Sequence, residues 1–152
     1  MKATISHKKN TFEIDLSKPI DISIPLRGTN ENVTAWYVDP PKFTPVMENG
    51  FVGDVNLGGA VNFRNIFFNP HGHGTHTECV GHISKEQHTI NQCLKHFSYT
   101  AKLITVTPYQ VDGDSVIMKE QLEKLWNAGD AEAIVIRTLP NTDRKLAMQY
   151  SN

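Results

Sequence analysis

The chain has 152 residues, of which 39% are hydrophobic and 20% charged, and a formal net charge of −1. That balance belongs to an ordinary globular protein of single-domain length, able to bury roughly 70% of the surface its unfolded chain exposes. It argues against a general electrostatic grip on nucleic acid or on an anionic membrane, and two cysteines do not make a disulfide framework. Met1–His7 lacks the apolar run of a secretory signal and no stretch is long enough to span a bilayer, so the expected setting is cytoplasmic and reducing.

Residues Ala3–Ser6 and Thr11–Ile14 are short β-rich runs around Lys8-Lys9-Asn10, which predicts a hairpin. Ile20, Ile22 and Ile24 alternate with Asp21 and Ser23, predicting a half-buried strand stopped by Pro25. Residues 26–59 are polar, rich in glycine and proline, and read as a long irregular region. Long loops inside a domain tend to be functional. Its aromatics Trp36, Tyr37, Phe43 and Phe51 either pack under the loop or wall a pocket for a flat substrate. Ala60–Phe68 alternates again and predicts a strand.

Ser84-x-x-Gln87 has the form of a capping box and predicts a short helix to about Leu94, with Cys93 on its apolar side. His88 and His96 read as surface histidines. Thr100–Val106 is strand-like and ends before Pro108. Asp114 or Ser115 is then expected to open a helix carrying Val116, Met118, Leu122, Leu125 and Trp126, closed by Gly129. Ala131–Thr138, built on the apolar run Ala133–Ile136, predicts a buried strand. Several β-runs followed by helix, strand, helix and strand imply an α/β fold with a mixed sheet and packed helices.

The segment from Asn69 to His82 carries the chemistry. It holds His71, His73, His76 and His82, four of the seven histidines, together with Glu78 and three glycines. Imidazole and carboxylate are natural ligands of zinc, manganese and iron. In an extended backbone His76 and Glu78 share a face, and Cys79 then points the other way. A closed structural zinc site wants four ligands, mostly cysteine at paired spacings, and the chain has no Cys-x-x-Cys. A three-ligand site with an open position, the catalytic arrangement, is the expectation.

The run Gly74-Thr75-His76-x-Glu78-x3-His82 resembles the signature of the metal-dependent cyclase and kynurenine formamidase (arylformamidase-like) family, His-x-Gly-Thr-His-x-Asp-x-Pro-x-His. Asp15–Ser23 and Ala133–Thr138 have the family's character as well. Three positions depart from the signature: Glu78 replaces Asp, Val80 replaces Pro, and Gly72 stands where the family has its first histidine. His71 and His73 flank that glycine. A one-residue bulge could bring either into place; His71, which follows Pro70, is favoured as first ligand and His73 is the alternative.

The resemblance implies a swivelling β/β/α arrangement in one domain, residues 1–152. It also implies a longer chain than this one, so a shortened C-terminus is expected, with a homodimer or higher homo-oligomer covering what is left exposed. It further implies hydrolysis of an amide-type bond, either a formyl-amide or a cyclic amide, in a small-molecule substrate. His71, His76 and Glu78 would be metal ligands for zinc or manganese, with His82 the catalytic proton shuttle. Nucleic acid and membrane are not expected partners. The competing expectation is a non-catalytic member that binds a metal or ligand or serves as a structural partner.

Overall fold

The computed structural model describes residues 1–127, 129 and 131–151. Its strands are β1 (Lys2–His7), β2 (Asn10–Asp15), β3 (Lys42–Pro45), β4 (Met47–Glu48), β5 (Phe51–Val52), β6 (Arg64–Phe67), β7 (Ala101–Val106), β8 (Tyr109–Val111), β9 (Asp114–Val116) and β10 (Ala133–Thr138). The helices are short: α1 (Pro70–His73), α2 (Ile90–Cys93) and α3 (Lys119–Leu125). The class is mixed α/β, with the strands paired two by two. Two compact units are present, Met1–Asp21 with Glu78–Thr142, and Ile22–Thr77 with Asp143–Asn152. No helix among the described residues is long and apolar enough to cross a membrane.

In the first unit, β1 and β2 form the expected antiparallel hairpin, with Lys2 opposite Asp15 and His7 opposite Asn10. Lys8 takes a left-handed φ of 53° to make the turn. β7 and β10 run parallel, from Ala101 beside Ala133 to Val106 beside Thr138. Parallel neighbours need a crossover, and α3 lies in it. Ile104 and Val106 are buried, whereas Val135 and Ile136 are 38% and 39% exposed, so the apolar run of β10 is less covered than expected. Glu132 clasps the start of this pair: its Oε2 accepts from the Thr100 N–H and from the Thr100 hydroxyl, both at 2.9 Å.

Two expectations for this unit give way. No helix starts at Asp114; Asp112 and Gly113, at φ 52° and 95°, turn β8 back on β9, and the helix starts at Lys119. Asp-Gly is the pair that a two-residue hairpin prefers, and this local turn outweighed the N-cap propensity of the following residues. α3 ends at Leu125 with Trp126 as its cap, before Gly129. Similarly, the capping box lies five residues later than Ser84: Thr89 and Gln92 cap each other's backbone and open α2. Ser84 spends its hydroxyl on the Glu86 carbonyl at 2.7 Å. Cys93 is exposed rather than core.

The second unit is organised on hydrogen bonds more than on apolar burial. β3 and β6 pair antiparallel, Lys42 opposite Phe67, and β4 and β5 close through Asn49-Gly50, both at positive φ. The long region 26–59 therefore contains three short strands and a 3-10 turn at Val55–Leu57. Asp54 caps that turn at the Asn56 N–H, 2.9 Å, and holds Arg64 at 2.8 Å. The strand expected over Ala60–Phe68 is confined to Arg64–Phe67 and is exposed along its length. Ile22–Ile24 belongs to none of the strands among the described residues, so its alternating pattern lacks the pairing that defines a strand. The same holds for Ile20, in the first unit and 88% exposed.

At the centre of the second unit lies Asn32, fully buried. Its Oδ1 accepts from the Arg27 N–H at 2.7 Å, while its Nδ2 donates to the carbonyls of His73, 2.8 Å, and Val33, 2.5 Å. Gln149 donates to the Asn32 carbonyl at 2.8 Å. Thr34 bridges the same tail segment, accepting from the Tyr150 N–H at 2.7 Å.

Candidate metal centre

Asn69 sets the geometry of the histidine segment. Its side-chain oxygen accepts from the N–H groups of His71, 2.9 Å, and Gly72, 3.1 Å, and Pro70 occupies the first helical position, where its missing N–H costs nothing. α1 is packed tightly at Gly72: a Cβ there would come within 2.6 Å of Val38 Cγ2 and 3.1 Å of the Ala35 carbonyl oxygen. The Ala35 N–H also donates to the Gly72 carbonyl at 2.9 Å. This position, where the family signature has a histidine, has no room here for any side chain without movement of its neighbours.

The three histidines of this stretch have different surroundings. His73 is buried, 3% exposed. Its Nδ1 accepts from the Asn69 N–H at 2.8 Å, which puts the ring proton on Nε2, and Nε2 donates to the Asp39 carbonyl at 2.7 Å. Both nitrogens are thus engaged with backbone. His76 is exposed and its Nδ1 lies 2.9 Å from the Gly74 carbonyl. A carbonyl only accepts, so Nδ1 carries the proton and Nε2 the lone pair. That is the arrangement by which metal-binding histidines are usually oriented. The rings of His71 and His76 meet edge to face, centroids 4.9 Å apart. Thr75 anchors the segment, its hydroxyl accepting from the Ile24 N–H at 2.9 Å.

Glu78 and His82 belong to the first unit. His82 ends a 3-10 turn, Val80–His82, entered from Cys79. The Glu78 carboxylate lies 3.9 Å from His82 Nδ1, and both side chains are about half exposed, at 48% and 46%. Glu78 and His82 offer a carboxylate oxygen and an imidazole nitrogen, and His71, in the other unit, an imidazole nitrogen, donor types that divalent metals take. Nitrogen and oxygen donors of this kind suit a divalent cation rather than a soft, thiolate-seeking ion.

Trp36 and Tyr37 are 78% and 74% exposed, so they do not pack under their loop. Both sit at positive φ, 59° and 57°, strained for aromatic residues. They belong to the turn between Ala35 and Val38, the two residues that press on Gly72. Beside α1, an open groove of about 460 Å³ is lined by Pro40, Lys42, Ile66, Phe67, Phe68 and His73, among others. Sequence reasoning passed over two residues that hold this region, Asn32 and Asn69. The second had a signal, an asparagine directly before a proline; the first had none, because its partners are distant in sequence.

Comparison with protein-family models matches residues 14–151 to a family described as "Putative cyclase". No curated protein and no solved structure matches the chain.

Proposed function

The chain belongs to the cyclase family, and from that premise we propose that it is a metal-dependent hydrolase of an amide-type bond, a formyl-amide or a cyclic amide. His71, His76 and Glu78 are the proposed ligands and His82 the proposed proton carrier. The observation that carries this reading is the Nδ1–H of His76 bound to the Gly74 carbonyl, which presents Nε2 as the ligand atom. The engagement of both His73 nitrogens with backbone favours His71 for the first ligand. The family's swivelling β/β/α arrangement and a homo-oligomeric state are part of the same proposal; the many exposed apolar side chains, such as Ile66 and Phe67, support a covering second copy.

A divalent ion, zinc or manganese, supplies polarisation of the scissile carbonyl and acidifies water near pH 7. The chain's own residues do the rest. His82 takes the proton from the attacking water and returns it to the leaving nitrogen, a task suited to an imidazole. Glu78 lies 3.9 Å from His82 Nδ1, beside the imidazole that carries the proton. Thr75 and Gly74 hold His76 in orientation through the Ile24 N–H and the His76 ring.

His82→Ala is expected to lower turnover of a formyl-amide substrate about 10²- to 10⁴-fold, the usual worth of a general base, with metal content unchanged. Loss of metal in parallel with activity would overturn the division of roles. Metal bound by the unaltered chain, with no turnover of formyl-amide or cyclic-amide substrates, would instead make the protein a binding member of the family.

A further inference from the structure

The two cysteines, fourteen positions apart in the chain, meet within the first unit. The backbone around Cys79 is pressed against the entry to α2: a Cβ on Gly81 would fall 2.0 Å from the His88 carbonyl oxygen. Cys79 Sγ lies 3.6 Å from that same oxygen. Thr89, the next residue, caps α2, and Cys93 closes it, its N–H bound to the Thr89 carbonyl at 3.0 Å. The fold thus brings the start and the end of the segment from His88 to Cys93 close to Cys79, near enough for the two thiols to act on each other electrostatically. Both cysteines are free, and neither is buried.

We propose that Cys79 and Cys93 form a thiol pair that a peroxide oxidises to an intrachain disulfide, a modification site beside the Val80–His82 turn. The chemistry balances with hydrogen peroxide as the two-electron oxidant. One cysteine sulfur attacks a peroxide oxygen, the O–O bond breaks, and the sulfur becomes a sulfenic acid as the first water leaves. The second sulfur then attacks it; an S–S bond forms, the S–O bond breaks, and the thiol proton leaves with the hydroxide as a second water. Two thiols and one peroxide give one disulfide and two waters.

Desolvation around its sulfur, and then its neighbour Cys79, push the Cys93 thiol above the ordinary range. A thiol so held is a weak nucleophile at neutral pH. The pair is therefore expected to stay reduced in air and to need an added oxidant. Once formed, the bond ties the residue between Glu78 and the turn to the end of α2, adding a covalent tie to the turn's own bonds and its contact with His88.

The test is mass spectrometry of the full chain after treatment with a small excess of hydrogen peroxide. The expected result is a monomer lighter by two hydrogens, a digest peptide joining Cys79 to Cys93, and both thiols recovered with dithiothreitol. In Cys93→Ser the crosslink is expected to vanish and Cys79 to be trapped as a sulfenic acid by dimedone; circular dichroism checks that this exposed substitution leaves the fold intact. Oxidised chains that keep both thiols alkylatable, overoxidise singly to sulfinic acid, or crosslink only between molecules would overturn the proposal. None of these readouts depends on metal or on turnover, so the pair stands or falls separately from the hydrolase reading.

Discussion

The two halves of the histidine segment are built differently. Asn69–His76 is held at almost every step: Asn69 caps α1, His73 is buried with both nitrogens spent, Thr75 takes the Ile24 N–H, and Asn32 grips the His73 carbonyl. Glu78–His82, in the other unit, has one 3-10 turn and an imidazole–carboxylate pair with both members about half exposed. The contrast matches the proposed roles in part. His71 and His76, two of the three proposed ligands, lie in the held half, where ligand geometry is fixed before the ion arrives; Glu78, the third, shares the other half with His82, the group that has to reorient between water and leaving group.

Substitutions sharpen this comparison by asking whether stability resides in the first half. The largest effect is expected for Asn32→Ala, about 3 kcal/mol lost in urea denaturation, because the buried His73 carbonyl and the part-buried Arg27 N–H both lose this partner. Loss below about 0.5 kcal/mol would mean that Asn32 is not the hub of its unit. Asn69→Ala is expected to cost about 1 kcal/mol, the worth of a helix cap, and to weaken metal binding more than a substitution at exposed Val80 does. Equal effects on metal binding at both positions would erase the distinction between the halves.

The smallest effect concerns acid. Hydrogen bonds from the Thr100 N–H and hydroxyl hold the Glu132 carboxyl below its ordinary 4.5, against an opposing desolvation. The folded chain therefore binds that proton less tightly than the unfolded chain does. The resulting stability is present above about 4.5 and fades as pH falls through the lower folded value. Glu132→Gln should flatten the acid side of the stability profile; an unchanged slope would mean the Thr100 clasp contributes nothing.

What the sequence revealed and concealed follows the same physical division. The β1–β2 hairpin and the β7 and β10 strands were legible because their signals are local: a polar turn between β-rich runs, and unbroken apolar stretches. The capping box was ambiguous because Ser84-x-x-Gln87 and Thr89-x-x-Gln92 fit one pattern, and nothing local says which serine or threonine finds its helix. The Asp112-Gly113 hairpin was visible in principle, but Asp114 and Ser115 looked like helix starts. At the site, residue types identified the chemistry, yet His71 and His73 were equivalent in the sequence. Their distinction rests on Asp39, Asn69 and Asn32, contacts whose partners lie up to 41 positions away.

The central claim is a divalent ion bound through His76 Nε2. Its most direct test is zinc and manganese titration of the metal-free chain, followed by elemental analysis, for the unaltered protein and for His76→Ala. About one equivalent per chain for the former, and loss of stoichiometric binding in the latter with the fold intact by circular dichroism, is the predicted result. An unaltered chain that takes up neither ion, or a His76→Ala chain that binds as tightly as its parent, would contradict the account.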